Sequence, residues 1–143
     1  MNAIIYLKRI KKMDMKIKVA MEELAQLEAL ATKTSVAMGD ERIQSSGSQQ
    51  KMADCVVKIA DVKNEISKEV EELTRCKNEA MQILSNCDAE CIAILHKRYF
   101  QFKTWEQIAA EMGFTYKWVS GGLHQKALAQ FQKTMDEMRD KPC

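Results

Sequence analysis

The chain has 143 residues, enough for one ordinary domain or for a small domain joined to an elongated helical segment. One proline, five glycines and an apolar share of 46% argue against a disordered tail and a loop-rich β fold. The formal charge of +2 does not by itself indicate a nucleic-acid-binding protein. However, basic residues cluster within residues 1–18 and again from Lys97 onward, and these clusters are candidate contacts to phosphates.

No apolar run approaches the roughly 20 residues that a membrane-spanning helix needs. The opening MNAIIYLKRIKKMDM carries charges where a signal peptide needs an apolar stretch. A cytoplasmic protein with no membrane partner is therefore expected. The five cysteines are odd in number and mostly lie within helical patterns, which favours reduced thiols over a disulfide framework.

Two apolar seams with helical spacing predict two long helices. Residues 34–50 between them contain turn and cap formers without an apolar period, so the chain is expected to reverse there. Ser46 and Gln49 fit a capping box at the start of the second helix. The first seam consists of Tyr6, Ile10, Met13, Ile17, Ala20, Leu24, Leu27 and Ala31. The second consists of Met52, Val56, Ile59, Val62, Ile66, Val70, Leu73, Ala80 and Leu84.

The simplest way to bury both seams is a long, coiled-coil-like antiparallel hairpin over residues 1–86, with Ile17 and Ile66 buried between its helices. A homodimer through this hairpin is the alternative pairing. The weak helix formers within residues 84–88 predict a boundary, after which residues 87–143 are expected to form a compact helical unit. The predicted fold class is therefore all-α.

The segment TWEQIAAEMGFTYKWVSGGLHQKALAQF has the features of a helix-turn-helix. Thr104 with Gln107 forms a capping box for its first helix. Gly113 stands where the turn needs a left-handed backbone, and Thr115 can cap the second helix. The side chains expected to pack between the helices are Ile108, Ala109, Met112 and Val119. The competing interpretation is three short helices of an ordinary bundle.

The larger segment KRYFQFKTWEQIAAEMGFTYKWV…LHQKAL resembles region 4 of sigma-70 factors. With its long helical N-terminal part and the linker GDERIQSSGSQQKMAD, the whole chain is similar to sigma-70-like late transcription regulators of phages and prophages, of the RinA and ArpU type. The resemblance implies a sequence-specific DNA-binding regulator in the bacterial host cytoplasm. It also implies activation of late genes through host RNA polymerase.

One departure from the family pattern lies in the second helix of the motif. Gly122 occupies the slot that the family fills with an apolar residue, and Leu123 comes directly after it, as if one residue were inserted. Gly121 and Gly122 also disfavour a regular helix. The recognition helix is therefore expected to be kinked, bulged or interrupted there, which places base contacts beyond Ser120 in question.

The outward face after Thr115 is expected to read base edges through Tyr116, Lys117 and Ser120. Lys97, Arg98 and Lys103 are expected to meet phosphates. The complete predicted DNA-binding set is Lys97, Arg98, Lys103, Thr104, Thr115, Tyr116, Lys117, Ser120, His124 and Lys126. For His124 a surface or cap role is favoured over a phosphate contact.

Other chemistry has weaker support. Cys87, Cys91 and His96 lack a fourth ligand, so no metal is expected and Cys91 is predicted to be a buried thiol. No catalytic set or cofactor motif is present, so an enzyme is not expected. Trp105 and Phe114 are assigned to the core or a staple, in preference to a single-strand stacking platform with Tyr116 and Trp118.

Three alternatives concern partners. The basic N-terminus is interpreted as the solvated face of a coiled-coil arm, with DNA backbone contact about as favoured and an anionic membrane surface as a further possibility. A small terminase subunit, whose coiled coil builds a ring, and a coiled-coil adaptor that binds only protein are the rival functions. The order of the elements, with the coiled coil first and the DNA module last, favours the regulator.

Overall fold

In the computed structural model the backbone is described for residues 2–40 and 46–140, and the side chains for residues 2–33 and 49–140. Every regular element in these ranges is a helix, so the predicted all-α class is confirmed. None of these helices carries an apolar stretch that could cross a bilayer. The helices are α1 (Ala3–Asp40), α2 (Ser46–Leu84), α3 (Ala89–Leu95), α4 (Trp105–Met112) and α5 (His124–Asp140), with π-helical segments at His96–Phe100 and Trp118–Leu123. The predicted capping box of Ser46 and Gln49 lies outside the described side chains.

The inward face of α1 agrees with the predicted seam, whereas that of α2 differs at two positions. Every seam residue of α1 is buried or half-buried. In α2 the side chains of Val56 and Val70 are 53% and 43% exposed, so their placement in the seam was wrong. Cys55 and Glu69 face inward instead, each seven residues from Val62. Residues seven positions apart lie on the same face of a helix with this repeat. Cys55 and Glu69 therefore share the inward face with Val62, although valine is the more hydrophobic residue.

The chain divides into two compact units, each of which contains parts of α1 and α2. The larger unit comprises Met1–Met13 with Leu73–Cys143, and the smaller unit is Asp14–Glu72. The predicted division between residues 86 and 87 stays a prediction. In the smaller unit an exposed ion pair joins the helices, with Glu28 Oε1 and Lys63 Nζ 3.7 Å apart.

Burial within the smaller unit agrees with one of the two isoleucine predictions. Ile17 is buried as predicted, whereas Ile66 is only half-buried. Glu69 places its Oε2 atom out of contact with solvent, without a hydrogen-bond partner among the described residues. An unsatisfied buried oxygen is destabilising, so the α2 face of this unit is not optimised for stability.

The first turns of α1 pack into the larger unit. The Ala3 backbone N–H donates to Gln132 Oε1 at 2.6 Å, and the ring of Tyr6 lies 5.9 Å from that of Phe131. The Tyr6 hydroxyl donates to Glu79 at 3.3 Å. Burial and the Glu79 carboxylate raise the pKa of Tyr6 to about 12, which keeps it a donor. Leu7 is fully buried, so this end of α1 belongs to the same core as α5.

The break between helices predicted within residues 84–88 is confirmed, because α2 ends at Leu84 and α3 begins at Ala89 behind an extended Asp88. Cys91 on α3 is buried, also as predicted, and its thiol donates to the Ala127 carbonyl at 3.4 Å. Burial, together with the neighbouring Cys87, raises the pKa of Cys91 to about 12. The thiol therefore stays protonated and unreactive at neutral pH.

Candidate functional site

The helix α4 has the capping box at its start and the glycine turn at its end that its sequence predicts. Thr104 Oγ1 accepts a hydrogen bond from the Gln107 N–H at 3.2 Å, and Gln107 Oε1 accepts one from the Thr104 N–H at 3.0 Å. This reciprocal pair is the expected capping box. At the other end Gly113 has φ of 71°, the left-handed conformation that residues with a Cβ rarely adopt. The turn predicted there is confirmed.

A second capped helix begins after this turn. The Thr115 hydroxyl accepts a hydrogen bond from the Trp118 N–H at 3.2 Å, so Thr115 caps the new helix as predicted. Its buried face contains Val119, which packs inward together with Ile108 and Ala109 of α4, whereas Met112 is half-buried. The side chains expected between the two helices therefore do face inward.

The predicted irregularity at Gly121 and Gly122 is a π-helical segment, Trp118–Leu123, that leads directly into α5. A π-helical turn accommodates one more residue than an α-helical turn. The helix therefore continues without interruption, while the extra residue changes the direction in which later side chains point. Gly122 is exposed and Leu123 takes the buried position, which agrees with the apparent one-residue insertion.

The ring of Trp118 lies against Gly122. A Cβ added at Gly122 would collide with the six-membered ring of Trp118, whereas a Cβ at Gly121 would meet open space. We therefore expect Gly122→Ala to displace the Trp118 side chain. Gly121→Ala is the matched control, and it should leave the ring in place while adding about 1 kcal/mol of helix propensity.

The two tryptophans can be monitored separately by their indole N–H signals in an NMR spectrum. Gly122→Ala should move the Trp118 signal and Gly121→Ala should not. Equal shifts for the two variants would contradict the packing of Trp118 on Gly122.

Aromatic side chains dominate the outer surface of this turn and helix. Tyr116, Trp118 and Phe114 are 50%, 44% and 38% exposed, and Lys117 is exposed between them. The placement of Phe114 in the core was wrong, because its side chain is exposed, whereas its alternative role as a staple stays a prediction. The exposure of Trp118 was not predicted, although its neighbour Val119 already occupies the inward position.

Trp105, by contrast, is half-buried and has a structural role. The guanidinium of Arg98 lies 4.4 Å from the Trp105 ring centroid. Arg98 Nη1 also donates to the Lys103 carbonyl at 3.0 Å. Arg98 is therefore held in a fixed position by a cation–π contact and a hydrogen bond.

The three cations predicted to meet phosphates do lie close together, but two of them already have a partner. Lys97 and Lys103 both pair with Oε1 of Glu111, at 3.4 Å and 2.5 Å. The hydrogen bond from Lys103, supported by Lys97, lowers the pKa of the Glu111 carboxyl. Glu111 thus neutralises part of the charge that the sequence assigned to DNA.

Three further residues of the predicted DNA-binding set either cap a helix or lie away from the other cations. The hydroxyls of Thr104 and Thr115 are engaged in the helix caps. Lys126 lies apart from the other cations, on α5 beside Asp88 and Glu90. The residues Tyr116, Lys117 and the half-buried Ser120 remain together on the second helix.

His124 is buried, with only 7% exposure, so its predicted surface position was wrong. The extra residue of the π-helical segment turns this position inward. Nε2 of His124 shares a 2.8 Å hydrogen bond with the Tyr99 hydroxyl. Burial, together with the positive charges of Arg98 and Lys8, lowers the pKa of His124 to about 4. The imidazole is therefore neutral at physiological pH.

Within residues 2–33 and 49–140, no three His, Cys, Asp or Glu side chains come together in an arrangement that could hold a metal ion. The chain was compared with known protein families, curated proteins and solved structures, and none of them matches. A functional assignment therefore depends on the geometry of the capped helices and on the charges around them.

Proposed function

We propose that the chain is a sequence-specific regulator of transcription that binds double-stranded DNA through a helix-turn-helix. Its first helix is α4, and its recognition helix begins at Tyr116. The observation that carries this proposal is the pair of capped helices joined through left-handed Gly113. Their inner faces are packed, and the outer face of the second helix is free to enter a major groove.

The exposed side chains of the proposed recognition helix suit the chemistry of base edges. The Lys117 ammonium can donate to the O6 and N7 acceptors of guanine, and the Tyr116 hydroxyl can donate or accept. The apolar ring of Trp118, which lies against Gly122, suits contact with a thymine methyl group. These three residues share the first turns of the helix, where recognition helices contact bases.

The role in transcription, as distinct from DNA binding alone, comes from the resemblance to region 4 of sigma-70 factors and to phage late regulators. In this proposal α1 and α2 form the antiparallel hairpin. The ion pair between Glu28 and Lys63 and the inward-facing seams support that pairing.

A protein partner for residues 14–72 is favoured by large apolar side chains left exposed there, either in a second copy of the chain or in host RNA polymerase. These exposed side chains are Met15, Val19, Met21, Leu30, Val56, Val57 and Val70.

Selection of bound sequences from a pool of random duplexes tests the DNA-binding function. The selected duplex and a scrambled one are then titrated with the wild type, Lys117→Ala and Lys133→Ala. Lys133 is the matched control, because it is an exposed lysine on α5. If Lys117 contacts a base, its loss should weaken binding to the selected duplex by about 1 to 3 kcal/mol and binding to the scrambled duplex by much less. Lys133→Ala should bind like the wild type.

Two outcomes would favour the rival functions. Failure of the wild type to retain any duplex at low salt would contradict the proposal and favour the protein-binding adaptor. A ring-sized mass in light scattering would favour the small terminase, whereas a monomer or dimer agrees with the regulator.

A further inference from the structure

A cleft in the larger unit lies beside the proposed recognition helix. Its volume is about 260 Å³, which is room for several water molecules at about 30 Å³ each. Lys8 and Lys11 of α1 line one part of it, and Arg98 and Trp105 line another. Ser120 of the recognition helix also lines it.

The cleft is positively charged and has no carboxylate in its lining. Among the described residues, neither Lys8 nor Lys11 forms an ion pair. Arg98 is held by the Trp105 ring and the Lys103 carbonyl, so its guanidinium is fixed before any ligand arrives. Two ammonium groups and an oriented guanidinium around one cavity favour an anion, and a phosphate in particular.

The positive charges of the cleft also affect the pKa of the neighbouring His124. His124 also lines the cleft, and burial, followed by the positive charges of Arg98 and Lys8, keeps its ring neutral by lowering its pKa. A neutral ring adds no further charge, so the electrostatic attraction of the cleft depends on Lys8, Lys11 and Arg98.

We infer that this cleft binds a phosphate of the DNA backbone, held by Lys8, Lys11 and Arg98, so that the first turns of α1 form part of the DNA-binding surface. The inference rests on the DNA-binding function proposed above. Ser120 lies three residues after Lys117 on the same helix. Phosphates flank the groove that a recognition helix enters, so a phosphate site one turn from the base-reading residues is the expected arrangement.

The salt dependence of duplex binding tests the inference. The test variant is Lys8→Gln with Lys11→Gln, and the matched control is Lys12→Gln with Lys16→Gln. The control removes the same charge from exposed positions of α1 that do not line the cleft. In the test variant, the slope of log K against log salt should be shallower by about one unit on selected and scrambled duplexes alike, because one phosphate contact is weakened. The control should keep the wild-type slope.

Each contrary outcome has a distinct meaning. If the wild type binds duplex and both double variants show the same slope, the cleft does not hold a backbone phosphate, while the proposed function stands. If the wild type binds no duplex, both the function and the inference fail.

Inorganic phosphate supplies the second arm, with the thermal unfolding midpoint as its readout. A midpoint that phosphate raises in the wild type but not in the test variant, with unchanged DNA slopes, would assign the cleft to a small phosphate compound. That outcome would overturn the DNA assignment. A circular dichroism spectrum for each variant verifies that it is folded.

Discussion

Replacing Phe131 by alanine is expected to lower the free energy of unfolding by about 3 to 5 kcal/mol, the usual cost of emptying a buried phenylalanine site. Phe131 is fully buried on α5, and its ring packs near that of Tyr6 from the first turns of α1. Replacing it therefore removes packing contacts from the core that α1 and α5 share.

Phe114→Ala is the matched control for this prediction, because Phe114 is 38% exposed in the turn after α4. The same truncation there should cost much less, since less apolar surface returns to water. Urea unfolding of both variants and the wild type measures the two differences. Equal losses of stability would contradict the placement of Phe131 in the core.

The parts of the candidate site that could be predicted from sequence depend on short spacings. The capping box needs only Thr104 and Gln107 three residues apart, and the left-handed turn needs only Gly113. The cap at Thr115 is equally local. Such features are determined by neighbouring residues, so they are predictable before the packing of distant segments is known.

Two other features depend on the phase of a helix, which a single residue can change. In an α-helix each residue advances by about 100°, so one extra residue in a turn alters the direction of every later side chain. The two glycines at 121 and 122 predict an irregularity from sequence, but the π-helical form that it takes is not predictable, and the surface position predicted for His124 was wrong. The same kind of ambiguity placed Val56, rather than Cys55, in the seam of α2.

The contribution of α1 to the candidate site could not be predicted from local patterns. Lys8 and Arg98 are ninety positions apart in the chain, and they meet at one cleft only because Leu7 and Ile10 are buried in the core of the larger unit. From sequence alone, the basic N-terminus therefore had three interpretations: a solvated arm, a DNA contact or a membrane contact. Burial of these apolar residues places Lys8 at the same cleft as Arg98, and this proximity supports the DNA contact that we infer above.

Stability is expected to fall as the pH drops from about 6.5 towards 4, because His124 resists protonation in the folded protein. Its pKa is lowered from 6.5 to about 4, by burial first and then by the charges of Arg98 and Lys8. Its hydrogen-bond partner Tyr99 stays neutral throughout, since burial raises the pKa of that hydroxyl. The two charged groups that shift this pKa are both cations, so they disfavour the imidazolium.

The direction of the effect is set by proton binding. Below pH 6.5 the unfolded chain takes up a proton at residue 124 while the folded chain does not, so acid favours the unfolded state. The contribution is fully present above pH 6.5 and is lost as the pH falls to 4. The complete loss amounts to about 3 kcal/mol, and about 2 kcal/mol of it should be gone at about pH 5.

His124→Gln is the variant that isolates this titration, because glutamine keeps a hydrogen-bonding partner for Tyr99 and does not ionise. Urea unfolding at about pH 7.5 and about pH 5 gives the stability lost by each protein, and the titration of all other groups is common to both. The wild type should lose about 2 kcal/mol more than His124→Gln. Equal losses, or a His124 ring signal that titrates near pH 6.5 in the folded protein, would contradict the burial of a neutral imidazole beside Arg98 and Lys8.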